Sequence, residues 1–207
     1  METEQAFRQP RPIVAFDFDG TLTIRDSYTS FLKWRAGGAG YAAGLVRLAP
    51  ELAAYPLRRD RGRLKAAATR VFLGGQDADR IADDARRFAD QAWDGFMRPD
   101  ALACWQDWGR RGAQRVIVTA SPALTVKPFA DRLGAERLLG TGLAQTDGRL
   151  TGDFATPNCR AAEKVVRLRE VFGPDIRLAA AYGDTSGDVE MLAIADHRGW
   201  REFRERP

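Results

Sequence analysis

A chain of 207 residues is long enough for one well-buried core with a smaller insert. Its 29% charged and 44% hydrophobic residues exclude wholesale disorder. Its two scattered cysteines, Cys104 and Cys159, exclude a disulfide framework or a zinc site and fit a reducing cytosol.

The net charge of +4 is unevenly spread. Between positions 33 and 70 nine basic residues (Lys33, Arg35, Arg47, Arg58, Arg59, Arg61, Arg63, Lys65 and Arg70) stand against two acids, Glu51 and Asp60. That segment is expected to meet something anionic.

Residues 1–12 are polar and lack the apolar core of a signal peptide. Ile13-Val14-Ala15-Phe16 then reads as a buried parallel strand that ends abruptly in Asp17-Phe18-Asp19-Gly20-Thr21. Asp26-Ser27 caps a helix through Phe31, Leu32 and Trp34, which Gly37 and Gly38 end. A second helix spans Tyr41 to Ala54, with a kink or break at Pro50 and a stop at Pro56. A third runs from about Arg59 to Leu73, closed by Gly74-Gly75. Asp77 caps a long helix to about Met97, with Ile81, Ala85, Phe88, Ala92 and Phe96 on one stripe. No strand pattern occurs between 26 and 97, so this stretch reads as an all-helical insert. Within it, Ala36 to Tyr55 is the most apolar part, but Arg47, Glu51 and Pro50 are too costly for a membrane span.

Pro99-Asp100 opens a helix that stops at Gly109 to Gly112, and Arg115 to Thr119 is a β-branched strand. Ser121-Pro122 is read as N-cap and N1 of a helix ended by Gly134. Leu138-Leu139 is a short strand, and Leu143 to Phe154 is a hairpin turning at Asp147-Gly148. A helix from about Arg160 to Phe172 precedes the strand Leu178 to Gly183, which ends in Asp184. Gly187 to Ile194 is a short helix. The charged tail from Asp196 carries Trp200, Phe203 and the single histidine, His197, read as structural. Strand and helix alternate outside the insert, which predicts an α/β fold with a parallel, doubly wound sheet.

Open α/β sheets place ligands at the carboxyl ends of their strands, where Asp17, Asp19, Thr119 and Asp184 all fall. Two acids one residue apart repel each other and need a cation or a shared proton between them. Gly20 allows the backbone to come close to whatever sits there.

Four stretches occur in order: Asp17-x-Asp19-Gly20-Thr21, a strand ending in Thr119, a lone Lys164, and Gly183-Asp184-x-x-x-Asp188. In this order they resemble the motifs of the haloacid dehalogenase superfamily. The resemblance implies a Rossmann-like core made of residues 1–25 and 98–207, with residues 26–97 as a helical cap. It makes Asp17 the nucleophile and Asp19 the general acid/base of an aspartate-based phosphatase. It implies Mg²⁺ held by the Asp17 carboxylate, the Asp19 backbone carbonyl and Asp184, with Asp188 nearby. Thr119 and Ala120, Lys164 and the backbone amides of Gly20 and Thr21 would bind the phosphoryl oxygens. Response-regulator receiver domains also gather acids, a threonine and a lysine around Mg²⁺. They place the acceptor on a later strand and lack a large helical insert, so an enzyme fits better than a phospho-acceptor module.

The insert resembles the cap of the subfamily containing phosphoserine phosphatase and the bacterial phosphatidylglycerophosphatase C type. Asp26 stands where phosphoserine phosphatases carry a glutamate for the substrate ammonium, and Thr119-Ala120-Ser121-Pro122 replaces their Ser-Gly-Gly. Asp26, Tyr28, Phe31, Arg35 and Arg47 are the candidate readers of the leaving group. The expected substrate is a phosphate monoester, either a small phosphorylated metabolite or a phospholipid head group, with phosphoserine hydrolysis or phosphotransfer as alternatives. The expected location is the cytoplasm. The basic segment suits peripheral contact with anionic lipid at the inner membrane surface or a multiply charged metabolite; no nucleic acid is expected.

Overall fold

The computed structural model describes residues 11–58 and 60–207, the side chain of Arg58 excepted. The readings made for residues 1–10, and for Arg58 and Arg59 as basic surface, lie outside the described residues. In chain order the elements are β1 (Ile13–Phe16), α1 (Ser27–Arg47), α2 (Ala49–Arg58), α3 (Arg61–Leu73), α4 (Ala78–Ala92), α5 (Pro99–Arg110), β2 (Gln114–Pro122), α6 (Ala123–Leu133), β3 (Arg137–Thr141), β4 (Leu143–Thr146), β5 (Arg149–Phe154), α7 (Ala162–Phe172), β6 (Leu178–Gly183), α8 (Val189–Ala193) and β7 (Ala195–Trp200).

Five strands form one sheet in the order β3-β2-β1-β6-β7, every neighbouring pair parallel. β1 shows why both faces are covered. Val14 and Phe16 enter one apolar cluster with Trp105 of α5 and Phe129 of α6, whereas Ala15 enters a second with Leu168 of α7 and Met191 of α8. The chain moves outward from β1 to β2 and β3, then returns to β6 on the other side. The crevice of such a sheet lies at the carboxyl ends of β1, β2 and β6.

Helices α1 to α4 are inserted between β1 and α5. They sit on the core through rings. The Phe129 ring centroid lies 6.1 Å from Phe88 of α4 and 5.3 Å from Phe18. At the neck, Thr23 bridges Met97, the Ile24 N–H donates to the Phe96 carbonyl at 2.9 Å, and the Arg98 N–H to the Leu22 carbonyl at 2.9 Å. The antiparallel hairpin β4–β5 ties the far side down, with Gly75 N–H donating to Leu150 O at 2.7 Å and Ala78 N–H to Gly148 O at 2.8 Å. Asp26, Asp60 and Asp77 each cap a helix by accepting a backbone N–H three residues on. No helix among the described residues is long and apolar enough to cross a membrane.

Several boundaries differ from the sequence reading. α1 runs to Arg47 and only breaks at Gly37, whose φ of +67° is easy for glycine and interrupts the helical path without ending it. The next break falls at Leu48, so Pro50 opens α2 instead of kinking a helix. Pro56 lies inside α2, which continues only two residues beyond it and so gives up little hydrogen bonding. α4 ends at Ala92; a tight turn at Trp93–Gly95 then frees Phe96 and Met97 to return to the neck. β2 continues through Ser121 and Pro122, so Ser121 is not an N-cap, and α6 begins at Ala123. The charged tail contributes β7, which its sequence pattern does not announce. Only Ala195 and Gly199 are buried there, so apolar alternation is hidden, and a Cβ on Gly199 would lie 2.1 Å from the Tyr182 ring.

Candidate active site

Asp17 follows the last residue of β1 and stays anchored to the sheet, its N–H donating to the Tyr182 carbonyl of β6 at 2.9 Å. The chain then turns tightly through Phe18–Leu22. This turn depends on Gly20, whose φ is +87° and where a Cβ would lie 2.4 Å from Asp184 Oδ2. Side-chain bulk there would push Asp184 out of the site.

Opposite, Ala161 has an unusual positive φ of 57° at the start of α7, and its N–H is tied to the Gly187 carbonyl at 2.8 Å. From α7 the Lys164 side chain enters the core, 1% exposed. Its Nζ donates to Asp17 Oδ1 at 2.6 Å, Val118 O at 2.6 Å and Asp188 Oδ1 at 2.7 Å. Burial disfavours the ammonium, yet the charges of Asp17 and Asp188 outweigh it and raise the lysine well above its ordinary value. Asp188 is pulled the other way: burial pushes it up, but Lys164 and the Thr185 N–H and hydroxyl hold it below the usual carboxylate range.

Two carboxylates are not so well compensated. Burial pushes Asp17 up to about 7 even with Lys164 pulling against it. Burial and the neighbouring Asp188 also raise Asp184, whose Oδ1 is buried without a hydrogen-bond partner among the described residues. Carboxylate oxygens of Asp17, Asp184 and Asp188 lie within 4.8 Å of one another. Three acids around one lysine leave an excess of negative charge, and one oxygen is orphaned. That donor set, all oxygen and all hard, fits Mg²⁺.

Asp19 points elsewhere. Its Oδ1 accepts the Ser27 N–H at 2.7 Å and its Oδ2 the Ser121 hydroxyl at 2.5 Å. Burial, with the charge of Asp26 behind it, raises the Asp19 carboxyl, while the two serine bonds pull it down less strongly. Burial thus raises both neighbouring carboxyls but leaves them with different partners, Asp17 against the Lys164 ammonium and Asp19 between two serine donors, so the two can take separate parts in acid/base chemistry.

Asp17, Asp19 and Thr119 open onto a cavity of about 460 Å³ roofed by the insert, with Asp26, Tyr28 and Lys65 among its walls. Asp26 lines it while still capping α1, through a 2.6 Å bond from Thr29 N–H. Thr119 is buried in the wall, its hydroxyl oxygen accepting the Ser121 N–H at 3.0 Å. Ala120 faces the cavity, and its carbonyl accepts Lys65 Nζ at 3.0 Å, joining α3 to the end of β2.

Other expected residues lie elsewhere. Gly20 and Thr21 do not line the cavity: the Gly20 N–H donates to Thr23 Oγ1 at 3.2 Å and the Thr21 hydroxyl to Asp17 Oδ2 at 3.3 Å. Of the five expected leaving-group readers, Asp26 and Tyr28 reach the cavity. Phe31 is buried in the core, and Arg47 is exposed outside the cavity. Arg35 pairs with Asp84 at 2.9 Å. The basic segment is partly spent: Arg63 pairs with Glu51 and Arg70 with Asp153, while Arg61 and Lys65 turn inward to the cavity. Sequence reading missed Ser121, Lys65, Arg61 and Arg160. Ser121 carried a signal, since a strand ending in Thr119 has its next same-face residue at 121.

The haloacid dehalogenase-like hydrolase family matches residues 14–193 of the chain. Protein CicA of Caulobacter vibrioides is 59% identical over 196 residues, covering 94% of this chain and 88% of that protein. A protein named phosphoserine phosphatase from Halobacterium salinarum is 30% identical over 189 residues, covering 88% and 82%. A solved structure of a protein of unknown function from Bordetella pertussis Tohama I superposes with a TM-score of 0.74 at 23% identity, covering 89% of this chain and 87% of that one. The chain belongs to the haloacid dehalogenase-like hydrolase family.

Proposed function

We propose that the protein is a Mg²⁺-dependent phosphomonoesterase that works through an aspartyl-phosphate on Asp17. One observation carries the reading: neighbouring carboxyl groups at one strand end are split, Asp17 into a nest of lysine and acids and Asp19 onto two serines, and both open to the same cavity.

In the first half-reaction an Asp17 carboxylate oxygen attacks phosphorus, and the bond from phosphorus to the ester oxygen breaks. Asp19 gives its proton to that oxygen, so the alcohol leaves neutral. In the second, water attacks phosphorus while the Asp19 carboxylate takes one of its protons. The bond from phosphorus to Asp17 breaks, inorganic phosphate leaves, and Asp19 is again protonated. Lys164 holds Asp17 in place and offers positive charge at the attacked phosphoryl group, and the Thr119 hydroxyl can donate to it. Asp17, Asp184 and Asp188, with the Asp19 backbone carbonyl, would hold Mg²⁺, which when bound offsets the phosphoryl charge and favours ionised Asp17.

The relatives named phosphoserine phosphatase bring in a second, narrower reading. Asp26 and Lys65 both line the cavity, so a small zwitterion such as the serine of phosphoserine would find a carboxylate and an ammonium there.

Asp17→Asn keeps the side-chain size and removes the nucleophile. With p-nitrophenyl phosphate and Mg²⁺, the variant is expected to lose turnover by roughly a thousand-fold or more while remaining folded. Native-like phosphate release from folded Asp17→Asn protein would end the proposal.

A further inference from the structure

The cavity above Asp17 is not closed on its outer side. Beyond it lies a trough of about 1220 Å³, which shares Tyr55, Arg61, Asn158 and Arg160 with the inner cavity and adds Ser186, Trp200 and Arg201. The scissile phosphate would sit inside, so the trough is where a leaving group longer than the inner cavity must lie.

Its charge is one-sided. Three guanidiniums line it, and none forms an ion pair among the described residues. Asp60 is the one acid in its wall among the described residues, and its Oδ1 is taken by the Arg63 N–H at 2.9 Å as the cap of α3.

Two of the arginines are also held in place. Arg160 Nη2 donates to Ser186 Oγ at 2.9 Å, and its side chain lies across Gly187, where a Cβ would be 2.7 Å from Cγ. Arg201 Nε donates to the Asp184 carbonyl at 2.8 Å, and its guanidinium sits 5.2 Å from the centre of the exposed Trp200 ring. Each arginine carries five N–H donors, so these contacts leave most of them unspent. A neutral or cationic leaving group would leave such a wall unmatched, whereas a phosphate or phosphodiester presents oxygens that planar guanidiniums grip in pairs.

We infer that the substrate carries a second, phosphate-type anion on its leaving group, held in this trough by Arg61, Arg160 and Arg201. The inference rests on the phosphomonoesterase reading and extends it outward from the cavity. A compact substrate such as phosphoserine would leave the trough empty.

Linear alkanediols from propanediol to octanediol, phosphorylated at one end or at both, measure the subsite with a ruler. In the native Mg²⁺-loaded protein the bisphosphates are expected to exceed the matching monophosphates in kcat/KM by roughly ten- to a hundred-fold, the worth of charge-assisted hydrogen bonds, with a preferred chain length. Arg160→Gln, and separately Arg61→Gln, should each erode that ratio by about ten-fold, chiefly through KM.

The inference is overturned if phosphoserine or the monophosphates are turned over as well as every bisphosphate, or if both folded variants keep the native ratio. The phosphatase reading survives that result as long as p-nitrophenyl phosphate is hydrolysed. If no phosphate is released from any of these esters, the underlying reading falls and takes the inference with it. Esterifying the distal phosphate with methanol or hexadecanol separates the two sources of such an anion. Faster turnover of the hexadecyl ester in detergent micelles assigns a lipid head group; faster turnover of the methyl ester assigns a free metabolite.

Discussion

At the carboxyl end of the sheet, Lys164 is 1% exposed and lies between Asp17 and Asp188, yet the cluster is left with an unpartnered oxygen on Asp184. In the helical insert, the half-buried Arg35 meets Asp84 at 2.9 Å and Gln76 at 2.8 Å, and Arg87 covers the other Asp84 oxygen. Both regions bury charge. The insert's network closes on itself, with each carboxylate oxygen answered, and it serves to hold α1 against α4. The network at the sheet stays open, with more acid than base and one Asp184 oxygen without a partner among the described residues. Buried charge that balances is structural; buried charge that does not is waiting for a ligand.

The comparison can be broken most forcefully at Lys164. Lys164→Ala leaves Asp17 and Asp188 facing each other without a cation, which should cost on the order of 3–5 kcal/mol in urea unfolding without added metal. Lys164 lowers Asp17, so without it that carboxyl rises beyond its native value of about 7, and the loss should shrink as the pH falls toward 7 and a proton on Asp17 relieves the repulsion. A loss that does not vary with pH would mean that the lysine acts through packing alone.

Arg35→Ala tests the closed network and should cost about 1–3 kcal/mol by leaving Asp84 half-answered. Here too the loss shrinks as the pH falls, but the window lies lower. Burial works to raise Asp84, but Arg87 and Arg35 win and hold it below its ordinary value of 3.8. Its contribution is therefore present above the unfolded-state value and is lost as the pH falls through the lower folded value. Native and Arg35→Ala proteins should converge in stability only in strong acid, as denaturant midpoints across a pH series would show.

Ser121→Ala sharpens the view of Asp19. The serine bond lowers the Asp19 carboxyl against a larger rise from burial, so removing it should raise that group further. With Asp19 as the proposed general acid, the high-pH limb of kcat should move to higher pH, with the maximal rate down by about ten-fold. A limb that stays in place would assign it to another group. The smallest effect is expected at Arg70, whose pair with Asp153 is more than half exposed on both sides. Arg70→Ala should change the thermal midpoint by no more than about 1 kcal/mol equivalent.

The two regions also differed in how far they could be read beforehand. Asp17, Asp19 and Asp184 end buried strands, and a short apolar run followed by an acid is a local signal that needs no tertiary information. Lys164 needed the partner motifs, because a lysine among Glu163, Arg167 and Arg169 looks like any solvated helix face. The roof of the cavity was mostly opaque. Which arginine turns inward depends on the break at Gly37 and the turn at Leu48, and shifting either rotates the following helix face. Arg35 instead pairs with Asp84 and Arg47 is exposed, whereas Lys65 and Arg61 line the cavity. Ser121 was hidden by a real conflict: Ser-Pro is a good helix start, and it lost to the extension of β2. β7 stayed unseen because the strand has one buried alanine and one buried glycine in place of an apolar alternation.

The neck, where Thr23 meets Met97 and Leu22 meets Arg98, brings the two ends of the insert side by side. Exchanging what lies between them for another insert of matching apolar face would leave the strand before Asp17 and its sheet partners in register, since closing so small a gap costs little chain entropy. Over evolutionary time this makes the roof a cassette, provided that each replacement keeps a donor where the Ser27 N–H meets Asp19: what lines the cavity from above can change while Asp17, Lys164, Asp184 and Asp188 stay where the sheet holds them.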